Sequence, residues 1–175
     1  MDMRIFLIGF MGSGKSYVGR QLADILHWPF YDLDSLIEQQ EQAAVRTIFE
    51  QKGEAHFRQI EREVLHTTAI YPKAIIACGG GTPCFFDNMG WMKAHGLAIY
   101  LRAPAEVLYC RLSKQQEQRP LLKGMDGPGL LAFIANKLAE REPFYQQANI
   151  VYQQRTGEEP VAQELVAHFQ DIIGH

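Results

Sequence analysis

Gly9-Phe10-Met11-Gly12-Ser13-Gly14-Lys15-Ser16 fits the G-x-x-x-x-G-K-[ST] pattern of a phosphate-binding loop. Glycines allow successive backbone N–H groups to turn inward around phosphate oxygens, and the N-terminus of the helix that follows adds partial positive charge. Lys15 can reach the β- and γ-phosphates, and the Ser16 hydroxyl can ligate Mg²⁺. A GTPase would normally carry Asn-Lys-x-Asp for guanine, and this chain has no such run. A motor ATPase normally follows an apolar strand with an acid, whereas Ala74-Ile75-Ile76-Ala77 leads into Cys78-Gly79-Gly80-Gly81. A metal-proximal carboxylate must therefore come from elsewhere, and Asp32 is the natural candidate.

Four further groups of residues have types suited to substrate chemistry. Asp32-Leu33-Asp34 offers two carboxylates, one for metal-bound water and one to accept from a substrate hydroxyl. Alternation along a strand would send both the same way, and the rival reading is that Asp34 or Ser35 simply caps the next helix. Arg58 lies one step round from the helical stripe Phe57, Ile60, Val64 and Thr68, with Glu61 three residues on. It is either an exposed ion pair or a guanidinium fork held by Glu61 and aimed at a carboxylate, and spacing does not decide between them. Gly79-Gly80-Gly81 suggests a backbone lying close against something, or offering N–H groups to an anion, with a plain flexible turn as the alternative. Arg119, in Arg119-Pro120-Leu121-Leu122, could swing over ATP from a loop. Arg141-Glu142-Pro143-Phe144-Tyr145 places another arginine just before a proline expected to kink or break its helix.

The elements that must position these groups can be read from periodicity. Short apolar runs at 4–8, 30–32, 74–78, 97–101 and 149–152 read as strands. Segments of helical period lie at 15–26, 35–41, 47–71 with a break near Gly53, 87–95, 104–112, 130–147 and 160–173. The alternation predicts βαβ units and a parallel sheet covered on both faces. In such sheets ligands bind beyond the carboxyl ends of the strands, where the phosphate loop, Asp32-x-Asp34 and the triple glycine all fall. Residues 113–129 hold two prolines, three glycines and a polar run, the make-up of a functional loop.

Composition sets the frame around this chemistry. The chain has 175 residues, 47% of them hydrophobic, and a net charge of −3, which suits one compact domain and gives no sign of a nucleic-acid or membrane-surface partner. No apolar run approaches the roughly 18 residues of a membrane span, and the short N-terminal apolar run does not make a signal peptide. Cys78, Cys84 and Cys110 lack metal-ligand spacing and read as free thiols of a cytoplasmic protein.

Taken in order, these motifs resemble the shikimate kinase family. The resemblance runs from residue 4 to about residue 152 and rests on the phosphate loop, Asp32-x-Asp34, Ile48-Phe49…Gly53-Glu54…Phe57-Arg58…Glu61, the triple glycine, Arg119-Pro120-Leu121-Leu122 and Arg141…Pro143…Tyr145. It implies a three-layer α/β/α fold of the P-loop NTPase type with a five-stranded parallel sheet. A helical substrate-binding region at about 33–62 and a lid at about 113–129 would belong to one kinase domain spanning 1–175. It implies ATP-dependent phosphorylation of the 3-hydroxyl of shikimate, on the route to aromatic amino acids, with Mg²⁺ as cofactor and a monomeric enzyme. Gly12, Ser13, Gly14, Lys15, Ser16, Tyr17 and Arg119 would bind ATP, with Ser16 and Asp32 at the metal. Asp34, Arg58, Gly79, Gly80, Gly81 and Arg141 would bind the acid substrate, and Lys15, Asp34 and Arg119 would be catalytic. Tyr17 departs from the family's usual second small hydroxyl residue. Near Gly157-Glu158, where some relatives place a basic residue against adenine, the chain offers only Arg155. The alternatives are a kinase for another small hydroxy-acid such as gluconate, and a non-catalytic nucleotide-dependent switch.

Overall fold

In the computed structural model, which describes residues 3–119 and 121–173, five parallel strands form one sheet in the order β2-β3-β1-β4-β5. The expected domain span of 1–175 and the Pro120 of the expected lid reach beyond those residues. The strands are β1 (Met3–Ile8), β2 (Phe30–Asp32), β3 (Lys73–Ala77), β4 (Leu97–Arg102) and β5 (Ile150–Gln153). Among the described residues seven helices connect and cover them: α1 (Lys15–Leu26), α2 (Leu33–Glu41), α3 (Val45–Thr67), α4 (Asn88–His95), α5 (Ala105–Ser113), α6 (Gly127–Tyr145) and α7 (Val161–Ile173).

The alternation of side chains along a strand explains why the central strands are apolar throughout. Ile5 and Leu7 of β1, Ile75 of β3 and Ile99 and Leu101 of β4 face one core, completed by Val18 and Leu22 of α1 and Val161 and Leu165 of α7. Phe6 and Ile8, Ala74 and Ile76, and Ala98 and Tyr100 face the other, packed by residues of α2 to α6. In register, Phe6 of β1 sits between Ile76 of β3 and Ala98 of β4, so both layers are tied through the middle strand.

Three local differences from the sequence reading have physical causes. First, α2 begins at Leu33, because the Asp32 carboxylate accepts from the Ser35 N–H at 3.2 Å and caps it. Asp34 thus projects from a helix's first turn, not from a continued strand, and the cap is neither Asp34 nor Ser35. Second, α6 opens at Gly127, earlier than expected, because Asp126 accepts from the Gly129 N–H at 2.7 Å and Pro128 occupies the first turn, where its missing N–H costs nothing. The irregular stretch after α5 is shortened accordingly and contains a 3₁₀ turn, Gln116–Gln118. Third, α6 runs through Pro143 and ends two residues later at Tyr145, so the proline marks its last turn without breaking it. The break expected near Gly53 is present within α3, where that residue has φ 80°.

Candidate active site

The carboxyl ends of β1, β2 and β3 open onto a cavity of about 660 Å³. Its floor is the loop between β1 and α1, in which Gly12 (φ 80°) and Gly14 (φ 91°) adopt left-handed backbone that turns N–H groups inward. The loop is braced from α5, by an arginine that itself lines the cavity, and from the residue that follows β5. Arg111 of α5 donates through Nη1 to the Gly12 carbonyl at 2.8 Å, and through Nη2 to Gln154 Oε1 (3.1 Å) and the Gly157 carbonyl (2.8 Å). Buried Gln154 donates in turn to the Ser13 carbonyl at 2.8 Å. Neither Arg111 nor Gln154 is singled out by sequence. One is an ordinary helical arginine and the other follows an edge strand, and only the tertiary fold brings them against the loop.

Lys15 donates to the Gly9 and Phe10 carbonyls at 2.8 and 3.0 Å. Burial pushes its ammonium down to about 8, against the opposing pull of Asp34. The Asp34 carboxyl is pushed up to about 6 by burial and by the like charges of Asp32 and Glu61, with Lys15 opposing. The two groups face one cavity from the ends of different elements, each held nearer neutrality than in water. Ser16 Oγ donates to Asp32 Oδ2 at 2.9 Å, so one hydroxyl and one carboxylate oxygen adjoin at the cavity wall. Tyr17, 70% exposed, lines the rim, and Arg119 lines the wall while donating to Gln115 Oε1 at 3.0 and 3.2 Å.

The triple glycine is the hub of the opposite wall. None of its residues has left-handed backbone, so the reason for glycine here is close approach. A methyl group at Gly79 would lie 3.2 Å from Glu61 Oε2 and 3.4 Å from Asp34 Oδ1. One at Gly80 would lie 3.0 Å from Arg141 Nη1 and 3.6 Å from the Gly9 carbonyl of the phosphate loop. One at Gly81 would overlap the Arg58 guanidinium, 2.5 Å from Nη2. The turn is pinned by the Tyr145 hydroxyl, which donates to the Gly80 carbonyl at 2.6 Å.

Arg58 is buried, 8% exposed, which excludes the exposed-pair reading. Its Nη1 donates to Glu61 Oε1 at 2.9 Å and its Nη2 to Glu54 Oε1 at 3.2 Å. The guanidinium is boxed by Phe85 at 4.2 Å, Phe57 at 5.2 Å and Phe49 at 5.8 Å from the ring centroids. Arg141 lies over Phe10 of the phosphate loop, 5.7 Å from the ring centroid.

Of the residues expected from sequence, Gly12, Gly14, Lys15, Ser16, Tyr17, Asp32, Asp34, Gly79, Gly80 and Arg119 line the cavity. Ser13, Arg58, Gly81 and Arg141 do not line it. Ser13 is buried beneath the loop, while Gly81 and the two arginines stand one step further along the glycine turn. Arg155 borders a separate groove between β5 and α7, and Gly157 reaches the cavity instead.

A five-stranded parallel sheet with this loop between its central strand and first helix defines the P-loop class of nucleoside-triphosphate-binding proteins. Residues 11–171 match the model of the shikimate kinase family. The chain is similar to the shikimate kinases of Parabacteroides distasonis, 47% identical over 85% of this chain and 86% of that one, and of Bacteroides fragilis, 45% identical over 86% and 84%. Its structure is similar to the shikimate kinase of Bacteroides thetaiotaomicron, with TM-score 0.89, 38% identity and 99% of both chains covered. It is also similar to that of Acinetobacter baumannii in complex with shikimate, with TM-score 0.82, 32% identity and 98% and 93% covered. The chain belongs to the shikimate kinase family.

Proposed function

We propose that this protein transfers the γ-phosphoryl group of ATP to the 3-hydroxyl of shikimate, giving ADP and shikimate 3-phosphate. The observation that carries the reading is the triple-glycine turn. Its three missing side chains make room, in sequence order, for a carboxylate pair, for Arg141 beside the phosphate loop, and for Arg58. That places groups for an acid's carboxylate and for its hydroxyl within one turn of the nucleotide loop.

In this account the backbone N–H groups of 12–16 cradle the phosphates, and Lys15 neutralises charge on the γ-phosphoryl group. Phosphate oxygens give Lys15 better partners than the carbonyls it now holds, so nucleotide restores the charge that burial disfavours. Arg58 and Arg141 clamp the substrate carboxylate. Asp34 accepts from the reacting hydroxyl and orients it toward the γ-phosphorus. Arg119, already on the cavity wall, approaches the phosphates and stabilises the transition state.

Ser16 and Asp32 supply hard oxygen donors suited to Mg²⁺. Their oxygens adjoin at 2.9 Å, and Mg²⁺ would take its remaining ligands from phosphates and water. When bound, Mg²⁺ neutralises phosphate charge and fixes the phosphates' geometry. We read the enzyme as a monomer: the groups invoked converge on one cavity of a single chain, so the site is complete without a second copy. It works in the cytoplasm, a reading supported by three free cysteines. Among the described residues no helix is long and apolar enough to cross a membrane. Phosphorus NMR of the reaction mixture tests the regiochemistry: the product resonance should couple to the ring proton at position 3. A phosphate ester at another hydroxyl, or on the carboxylate, would overturn the assignment of Asp34 and the two arginines.

A further inference from the structure

The turn that follows the triple glycine has no role in the account above, yet it is built with unusual care. Thr82–Cys84 forms a 3₁₀ turn. Phe85 then lays its ring on Arg58, and Phe86 adopts φ 51°, left-handed backbone that a bulky side chain rarely takes. That reversal brings Asn88 back to the start of the turn, where buried Nδ2 donates to the Thr82 carbonyl at 2.9 Å. Thr82 is held so that its hydroxyl donates to Glu61 Oε2 at 2.8 Å, with both residues out of contact with water. The other oxygen of the same carboxylate receives Arg58 Nη1. A buried carboxylate with one oxygen unpartnered would be free to rotate, and the fork it steers would rotate with it.

We propose that Thr82 is a positioning residue for the acid substrate: through Glu61 it fixes the plane of the Arg58 guanidinium so that the fork meets a carboxylate edge-on. The proposal rests on the reading of Arg58 as a carboxylate clamp. Thr82 does not itself line the cavity. Its backbone N–H donates to the Gly79 carbonyl at 3.1 Å, a contact that valine keeps, so deleting the hydroxyl acts through Glu61 and falls mainly on acid binding. A threonine at this position is legible from sequence only as one more residue after the glycines. Its partner lies 21 positions earlier, on α3.

Thr82→Val keeps shape and deletes the hydroxyl. A hydrogen bond to a charged group is at stake, and part of its loss reaches the clamp. The expected result is a roughly 5- to 20-fold rise in KM for shikimate, with kcat within about threefold and KM for ATP within about twofold of wild type. Thr82→Ser should restore KM to within about threefold. In an Arg58→Ala background, Thr82→Val should add less than about twofold, because the group through which it acts is gone. Thermal unfolding is followed for every variant, and Thr82→Ala carries the same test if the valine does not fold. A wild-type KM for shikimate in the folded valine or alanine variant would overturn the proposal. So would a loss shared equally by ATP and kcat, or an undiminished effect in the Arg58→Ala background. If Arg58→Ala itself keeps normal KM, the clamp reading fails first and the proposal with it. If Arg58→Ala is impaired and Thr82→Val is not, this proposal alone fails.

Discussion

Replacing Arg58 separates two roles that its geometry combines. Arg58 and Glu61 are 8% and 1% exposed and 2.9 Å apart, so their pairing is not discounted by water as a surface pair's would be. Removing one partner of such a pair costs about 3–5 kcal/mol, because the other charge stays buried. Arg58→Ala strands Glu61 with Thr82 as its hydrogen-bond donor, and at about 2–4 °C per kcal/mol for a chain of this size Tm should fall by about 6–20 °C. Arg58→Lys keeps a cation beside Glu61 and should recover most of that loss. A point charge cannot make two parallel N–H···O bonds, however, so the lysine should restore stability without restoring the clamp. Loss of the fork should raise KM for shikimate on the order of 10- to 150-fold in the alanine variant, equivalent to about 1.5–3 kcal/mol, and still about tenfold in the lysine variant. KM for ATP should move little in either. The assay is steady-state turnover with each substrate varied against saturating partner, alongside thermal unfolding. A lysine variant with wild-type KM, or an alanine variant as stable as wild type, would refute the reasoning.

The remaining predictions follow from the same site. Measured at subsaturating shikimate, where it reports the free enzyme, kcat/KM for ATP should be bell-shaped, falling below about pH 6 as Asp34 protonates and above about pH 8 as Lys15 deprotonates. Asp34→Asn should abolish most turnover yet raise Tm at neutral pH. Burial pushes the folded carboxyl up to about 6, above the usual carboxylate range, so ionising it costs stability as pH rises through that range, and the gain should vanish in acid. Tyr145→Phe removes the donor to the Gly80 carbonyl and should cost about 1 kcal/mol of stability, measured by denaturant unfolding, with a rise in KM for the acid substrate. Arg119→Ala should lower kcat more than it raises KM for shikimate, and hydrogen exchange across 113–129 should slow when an ATP analogue and shikimate bind together.

The parallel sheet was legible because its central strands are apolar on both faces, and because the phosphate loop has both a local pattern and a fixed place between strand and helix. The substrate groups were legible as residue types and only in part as geometry. Arg58 is near Glu61 by helical spacing, but spacing says nothing of the three phenylalanine rings that bury it, one of them, Phe85, from beyond the triple glycine. Strand periodicity misplaced the start of α2, since the same Asp32 that ends β2 also caps the helix. The start of α6 was hidden for a related reason. Gly127-Pro128-Gly129 has the composition of a loop, and the cap from Asp126 together with the first-turn position of Pro128 makes it helical. Arg111, Gln154 and Thr82 left no local signal, because each acts on a partner brought close by the fold.

The central claim is tested most directly by ADP release from the purified chain with ATP, Mg²⁺ and a panel of small hydroxy-acids that includes shikimate and gluconate. The account predicts rapid release with shikimate, little with gluconate, and none above background when Lys15→Ala, shown folded by circular dichroism, replaces the wild-type chain. Equal or greater turnover with gluconate, or shikimate-dependent release that survives Lys15→Ala, would contradict it.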